Sequence, residues 1–209
     1  MQITNTSIAG RKVVFESILD EIPGGVSVDI TRLDYLTAGK EYLPAGTPVY
    51  VDLSTRVAEV CKSVAGAASG DATHVYVAAS AHHFKVGDSI TDFVNNRIIS
   101  AITASGTGYE VITVPSGLKY GSGQVYGEAV TGLVSAYYDV SVSANNGIRY
   151  TPNGMLRDRV RIKEGNADAA IVKMGTARED ALFFPIPDTY QKALRGGTTA
   201  EGTSLITLV

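Results

Sequence analysis

The sequence predicts a mainly β protein, built from short-stranded β-barrel or sandwich units, with one short helix near the C-terminus. Short runs of β-branched and aromatic residues recur along the chain and are separated by glycine and proline corners, the pattern of consecutive short strands. The 209 residues include 22 glycines and 11 tyrosines but no tryptophan. This composition suits many turns joined by pleated surfaces.

One corner pattern repeats along the chain. Residues 43–47 form a turn that leads into a predicted strand over residues 48–52. Pro44 fixes φ at the second position of the turn, and Gly46 can adopt the positive φ needed at the next position. The same spacing recurs at residues 84–90 and, with one extra residue, at residues 118–125. These corners predict short strands and tight turns.

The first part of the chain contains two further predicted strands. Residues 12–17 are rich in β formers, and residues 26–30 alternate apolar with polar side chains, as a half-buried strand does. A turn at residues 20–25 separates them, because it contains Pro23 followed by two glycines.

Residues 54–64 allow two interpretations. A helix would place Val57, Val60, Cys61 and Val64 on one face. A strand would put Ala58, Val60 and Val64 on one face with Lys62 as a misfit. The valines and the short loop after the preceding strand favour the strand, and the helix stays open.

A linker of small residues, 65–72, marks an internal boundary. Beyond it four short strands are predicted, over residues 73–78, 89–93, 97–104 and 109–115. The last two are joined by a glycine-containing turn and are expected to form a hairpin. We therefore predict a small inserted β subdomain over residues 72–128, within a β domain made of residues 1–71 and 129–209.

The last third of the chain returns to strands and ends with the helix. Strands are predicted over residues 131–143, 147–150, 157–163, 169–174 and 205–209, with turns at 145–147 and 153–154. In the third of these strands Val160 and Ile162 are expected to face inward. The helix is predicted over residues 189–194, with Asp188 as its N-cap and two glycines after its end.

Charge and cysteine content exclude several classes of function. The formal net charge is −3, the pI is about 5.6, and no basic patch favours nucleic-acid binding. Cys61 is the only cysteine, which excludes an intrachain disulfide and predicts a buried apolar side chain. Neither a signal peptide nor a membrane-spanning run is visible, so we expect a soluble protein that is made and used without export.

The residues that could carry chemistry have simpler interpretations. His82 and His83 are adjacent, so a strand would point them to opposite faces, and with His74 they are expected at the surface or an edge rather than on a metal. A hydrolase hypothesis needs two carboxylates across a cleft. The candidates are Asp88, which a turn also explains, and Asp92, Glu110 and Glu128.

Motifs for nucleophilic or phosphate chemistry are missing from the sequence. It contains no Gly-x-Ser-x-Gly elbow and no glycine-rich phosphate loop. The pairs Tyr137-Tyr138 and Phe183-Phe184 are expected to be core or interface anchors. We predict no enzymatic activity, no catalytic or metal-binding residue and no cofactor.

Two stretches resemble phage head fibre proteins, which are capsid-surface proteins of tailed phages, including those that infect Bacteroidales. Residues 28–36 together with 43–49 resemble the amino-terminal part of that family, and residues 173–188 resemble its end. The segment Pro-Ala-Gly-Thr-Pro-Val is also similar to the start of small trimeric head decoration proteins. The resemblance is weaker over residues 72–128.

This resemblance implies a virion structural protein, made in the host cytoplasm and assembled on the outer capsid surface. It implies a homotrimer that contacts the major capsid protein, with no membrane or direct nucleic-acid contact, and it brings no catalytic residues. A carbohydrate- or receptor-binding β module, which would present the tyrosines of the barrel-like segment 72–128 to sugars in a shallow groove, is the alternative. A hydrolase whose carboxylates converge only in the fold is a third hypothesis.

Overall fold

The computed structural model describes residues 13–37, 39–67, 70–79, 81–105, 108–130, 147–163, 167–196, 198–199 and 202–209. Of these residues 44% are in strands and 6% are helical, which confirms the mainly β class. Within these ranges no helix is long and apolar enough to cross a membrane. The strand predicted over residues 131–143, which includes Tyr137-Tyr138, lies outside the described residues, as does most of the turn at 145–147.

Nineteen strands and one α-helix make up the described chain. The strands of the first half are β1 Phe15–Glu21, β2 Val26–Asp29, β3 Tyr42–Leu43, β4 Pro48–Asp52, β5 Val57–Val60, β6 Ser63–Ala65, β7 His74–Ala78, β8 Ser89–Thr91, β9 Asn96–Ile98 and β10 Ala101–Ala104. The second half contains β11 Tyr109–Thr113, β12 Val125–Ala129, β13 Gly154–Leu156, β14 Val160–Arg161, β15 Ala167–Ala169, β16 Ile171–Ala177, β17 Thr198–Thr199, β18 Gly202–Thr203 and β19 Leu205–Leu208. The helix α1 spans Asp188–Leu194, and a 3₁₀ turn spans Glu179–Ala181.

The largest sheet joins both ends of the chain. Its eight strands run in the order β1-β16-β13-β4-β5-β2-β15, with β19 parallel to the C-terminal half of β16, and they curl into a half-barrel. Separate sheets of four strands, β6-β12-β8-β9, and of three strands, β10-β11-β7, come from the middle of the chain. Two-stranded pairs, β3 with β14 and β17 with β18, complete the described architecture.

Among the described residues, three apolar cores hold these layers together. The first two cover opposite faces of the large sheet, because neighbouring residues of one strand divide between them: Leu156 belongs to the first core and Met155 to the second. The helix packs on the second core through Tyr190 and Leu194. The third core draws all its buried members from residues 64–126, for example Phe84. This range is close to the predicted subdomain 72–128, and the division into domains itself stays a prediction.

The repeated corner has the predicted geometry. Gly46 and Gly87 have φ of +80° and +91°, and each lies in a turn closed by a backbone hydrogen bond. Thr47 N–H donates to the Pro44 carbonyl at 3.3 Å, and Asp88 N–H donates to the Lys85 carbonyl at 3.1 Å. The glycines supply the left-handed backbone that side-chain-bearing residues avoid.

The two glycines differ in their surroundings, and this gives a matched pair of substitutions. A Cβ on Gly46 would lie 2.5 Å from the Leu182 side chain and 2.7 Å from Val14, whereas a Cβ on Gly87 would meet no atom within 4 Å. We expect Gly46→Ala to destabilise the fold by about 2–3 kcal/mol, since crowding adds to the backbone penalty. Gly87→Ala should cost only the backbone penalty of the left-handed conformation, about 1–2 kcal/mol. Urea unfolding of both variants measures the difference, and equal losses would show that the Leu182 contact is unimportant.

The ambiguous segment and the long predicted strand both resolve into pairs of strands. After a turn that ends at Arg56, this segment forms β5 in the large sheet and β6 in the four-stranded sheet, so the strand interpretation is confirmed. The single strand predicted over residues 97–104 is wrong, because the chain leaves one sheet after β9 and enters another at β10. The predicted hairpin is confirmed by the pairing of β10 with β11.

Two predictions in the last third are wrong. The expected turn at residues 153–154 is absent, since Asn153 is buried and Gly154 begins β13 in the middle of the large sheet. The predicted return strand 147–150 reduces to a single bridge between Ile148 and Ala129. The predicted strand 157–163 is shorter, as β14, but its Val160 and Ile162 are buried as expected.

The predicted helix is confirmed, with a different start. It begins at Asp188, so Pro187 occupies the cap position, and no side chain caps the helix. It ends at Leu194, just before Gly196, whose φ is +119°. The terminal strand β19 is also confirmed.

Candidate functional site

The loop between β2 and β3 carries three charged residues that take part in buried groups of charges. Arg32, Asp34 and Lys40 all belong to this loop, and all three pair with residues that lie between 82 and 128. The backbone N–H of Asp34 also donates to the His83 carbonyl at 3.1 Å. The loop therefore fastens the large sheet to the layers of the third core.

The first group of charges, which we call the Lys62 cluster, consists of Lys62, Asp88, Glu128 and Arg32. Lys62 Nζ lies 2.6 Å from Asp88 Oδ2 and 3.6 Å from Glu128 Oε1, and Arg32 donates to the same Glu128 oxygen. The exposed fraction is 1% for the Lys62 side chain, 2% for Glu128 and 13% for Asp88. Charges buried to this degree are stable only when they are paired, because desolvation opposes them.

Glu128 is the least satisfied member of this cluster. Its Oε2 is buried and has no hydrogen-bond partner among the described residues. Desolvation raises the pKa of Glu128, although Lys62 and Arg32 oppose the shift. Asp88 is better satisfied than Glu128, because its Oδ2 also accepts a hydrogen bond from the Lys85 N–H at 2.7 Å.

The second group, the Lys40 cluster, consists of Lys40, Asp34, Glu110 and His82. Lys40 Nζ lies 2.8 Å from Glu110 Oε2 and 3.0 Å from Asp34 Oδ2. His82 Nε2 lies 2.6 Å from the same Glu110 oxygen. The hydrogen bond from His82, together with Lys40, lowers the pKa of Glu110 to about 2. Burial lowers the pKa of His82, so the imidazole is neutral and donates its Nε2 proton to Glu110.

The prediction that His82 and His83 lie at the surface is wrong. Both are buried, because Asp34 of the loop packs against His83 and Lys40 packs against His82. The two rings contact different neighbours: His82 contacts Glu110, and His83 donates through Nδ1 to the Asp34 carbonyl at 2.8 Å. Among the described residues no group of three His, Cys, Asp or Glu side chains could hold a metal ion.

The buried histidines make stability depend on pH. Burial lowers the pKa of His83 from 6.5 to about 4, so the unfolded chain binds more protons over this range and the free energy of unfolding falls as pH falls. For His83 the full loss is about 3 kcal/mol between pH 6.5 and 4.

Urea unfolding at pH 7 and pH 4.5 measures this loss. We expect His83→Gln to reduce the difference between the two pH values. His74→Gln is the matched control, since the His74 side chain is 40% exposed and contacts its sequence neighbours Asp71 and Thr73. An unchanged difference in His83→Gln would contradict the assignment.

The four carboxylates of the hydrolase hypothesis divide among separate environments. Asp88 and Glu128 meet around Lys62, and Glu110 belongs to the Lys40 cluster. Asp92 closes a turn by accepting backbone N–H groups of Val94, Asn95 and Lys119. The turn role predicted for Asp88 is confirmed. A saccharide cannot reach Glu128, because this side chain is buried.

Sequence reasoning missed the basic partners Arg32, Lys40 and Lys62. For Lys62 a signal was available, because a lysine in an otherwise apolar strand pattern must find a buried partner. Cys61 beside it is buried as predicted, and burial raises the pKa of its thiol.

A small aromatic cleft lies at the edge of the same region. Its volume is about 200 Å³, and it is lined by Gly39, Tyr42, Pro44, His83, Arg159 and Phe183. The Arg159 guanidinium carbon lies 3.6 Å from the centroid of the Tyr42 ring, and no carboxylate of the described residues pairs with it. Phe184 is buried as a core anchor, whereas Phe183 is 55% exposed.

Comparison with known proteins gives no relative. No protein-family model, no curated protein and no solved structure matches the chain.

Proposed function

We propose that the chain is a virion structural protein, a head fibre or decoration protein that binds the outer surface of the assembled capsid as a homotrimer. The observation that carries the proposal is the arrangement of the two stretches that resemble head fibre proteins. Residues 28–36 with 43–49 and residues 173–188 are distant in the sequence, yet β4 and β16 are both neighbours of β13. Gly46 of the first stretch also contacts Leu182 of the second.

The cohesion of the structure suits such a role. The two ion clusters and the shared loop tie the large sheet to the smaller sheets through side chains from both parts. A capsid-surface protein benefits from this cohesion, because many shallow contacts act together only when the body that presents them is rigid.

Exposed apolar side chains on the described surface support an assembled state. Strand β1 is at an edge of the large sheet and exposes Leu19 at 73%, and the loop before β3 exposes Leu36 at 83%. Edge strands and exposed apolar residues are frequent points of contact between chains. A closed three-fold assembly would use one such surface on each subunit.

Sedimentation equilibrium at micromolar concentration tests the oligomeric part of the proposal. The expected mass is three times the 22.0 kDa of the single chain. Leu19→Lys should shift the protein towards monomer if β1 contributes to the contact, and Leu53→Lys, in an exposed turn, is the matched control. A wild-type monomer at this concentration would contradict the homotrimer.

A carbohydrate- or receptor-binding module is the second candidate, and the aromatic cleft favours it. When a guanidinium stacks on an aromatic ring, its N–H groups point outward in the guanidinium plane. They can therefore donate to a carboxylate that lies in that plane. Exposed Phe183 offers an apolar face beside Arg159. This arrangement suits one acidic sugar residue, such as a uronic acid.

A glycan array with neutral and acidic saccharides tests the second candidate. Binding to acidic glycans that is lost in Arg159→Ala and kept in Arg157→Ala would support it, since Arg157 pairs with Glu21 away from the cleft residues. An array without binding would contradict it.

A further inference from the structure

We propose that Lys62 and Asp88 join in an intramolecular isopeptide bond, with Glu128 as the group that carries the proton during bond formation. The Lys62 cluster holds an amine, a carboxyl group to be attacked and a second buried carboxylate. The contacts that stabilise the fold do not explain why Glu128, the second carboxylate, keeps one buried oxygen without a hydrogen-bond partner. The inference concerns a covalent modification and does not depend on the proposed capsid function.

The two reacting groups are already in contact. Lys62 Nζ lies 2.6 Å from Asp88 Oδ2, and the Lys85 N–H holds the same carboxyl group at 2.7 Å. Glu128 Oε1 lies 3.6 Å from Nζ. The Phe84 ring, whose centroid is 5.7 Å from Nζ, closes an apolar side of the site. Water is therefore largely excluded from the place where it would be released.

The bond forms with a balanced transfer of protons. The Lys62 ammonium passes one proton to Asp88 Oδ2, which leaves a neutral amine and a neutral carboxylic acid. The Nζ lone pair then attacks Asp88 Cγ, and a C–N bond forms as the C=O electron pair moves to Oδ1. Glu128 accepts a second proton from the nitrogen and returns it to the Oδ2 hydroxyl. The C–Oδ2 bond breaks, one water molecule leaves, and Glu128 returns to its starting state.

Two physical effects favour the product. Groups held in contact react with effective molarities of about 10⁵–10⁸ M, which offsets the unfavourable condensation of an amine with an acid in water. The reaction also converts a buried ammonium and a buried carboxylate into a neutral amide, and so removes their desolvation penalty. The buried Glu128 Oε2 without a partner is a costly feature for a purely structural ion pair, and a proton acceptor explains it.

The Lys40 cluster is the natural comparison within the same chain. Its carboxylate Glu110 is already bound by His82 at 2.6 Å and by Lys40 at 2.8 Å, both through Oε2. Its second carboxylate, Asp34, has a side chain that is 20% exposed. No buried carboxylate oxygen in the described part of this cluster is without a partner. We therefore expect no bond at Lys40.

Mass spectrometry of the full chain tests the proposal. We expect the denatured protein to be lighter than its sequence by one water molecule. Trypsin should cut after Arg56, Lys85 and Arg97 but not after the modified Lys62, so peptide 57–85 should appear covalently linked to peptide 86–97. This linked pair distinguishes the isopeptide bond from loss of water elsewhere.

Variants separate the roles of the three residues. Lys62→Arg and Glu128→Gln should have the full sequence mass, while Lys40→Arg should keep the loss of one water. Wild-type protein that is folded and aged at neutral pH decides the matter even where a variant fails to fold. Full sequence mass together with free peptides 57–62, 63–85 and 86–97 would overturn the proposal.

Discussion

Replacing Lys40 by methionine is expected to destabilise the protein by about 3–5 kcal/mol, because it leaves buried carboxylate charge without its cation. The Lys40 side chain is 1% exposed and lies within 3.0 Å of both Glu110 and Asp34. Methionine has a similar shape, so the loss reflects charge more than packing. Urea unfolding at pH 7 measures the change.

A surface pair provides the control for this substitution. Arg157 pairs with Glu21 at 3.0 Å, but its side chain is 42% exposed. Arg157→Ala should therefore cost less than about 1 kcal/mol. Adding Glu110→Gln and Asp34→Asn to Lys40→Met should recover part of the loss. A loss below about 1 kcal/mol for Lys40→Met alone would mean that water already reaches this cluster.

Replacing Asn153 by alanine is expected to cost about 3–4 kcal/mol, since two buried backbone groups lose their partners. The Asn153 side chain accepts the Val51 N–H at 2.8 Å and donates to the Val51 carbonyl at 2.9 Å. It therefore extends the hydrogen-bond ladder between β13 and β4 beyond Gly154. Thermal and urea unfolding both report the loss.

Aspartate at the same position separates hydrogen bonding from shape. Asn153→Asp can still accept the Val51 N–H, but its ionised form cannot donate to the carbonyl, and its charge would be buried. We expect a loss at pH 7 at least as large as that of alanine. Asn95→Ala, in a turn closed by Asp92, is the control and should cost less than about 1 kcal/mol. Similar losses for Asn153→Ala and Asn95→Ala would contradict the ladder role.

Local chemistry accounts for the parts of the fold that were predicted. The corners at residues 43–47 and 84–90 depend on a glycine with positive φ and on flanking apolar residues, all within seven positions of the sequence. The helix and β2 also follow from short-range patterns. Such features need no knowledge of the rest of the chain.

The features that were missed depend on distant partners. Asn153-Gly154 has the local signature of a turn, but Val51 and Ile171 decide its conformation: Asn153 bonds to Val51, and a Cβ on Gly154 would lie 2.5 Å from the Ile171 side chain. His82 and His83 became buried because a loop some forty residues earlier covers them. No single-sequence pattern encodes such pairings.

The candidate site divides in the same way. The carboxylates were recognised as candidates from their residue type, while their basic partners come from the β2–β3 loop and the β5–β6 connection. Lys62 was visible as a misfit, but its pairing with Glu128 requires β6 and β12 to be neighbours. The aromatic cleft likewise needs Tyr42, Arg159 and Phe183 to converge from three segments.

Cosedimentation with capsids is the measurement that tests the proposed function most directly. Purified protein is mixed at micromolar concentration with capsids, lacking this protein, of the tailed phage to which the proposal assigns it, and the pellet is quantified. We predict saturable binding to the outer surface, in copy numbers that are multiples of three. Folded protein that stays in the supernatant with such capsids would contradict the proposal.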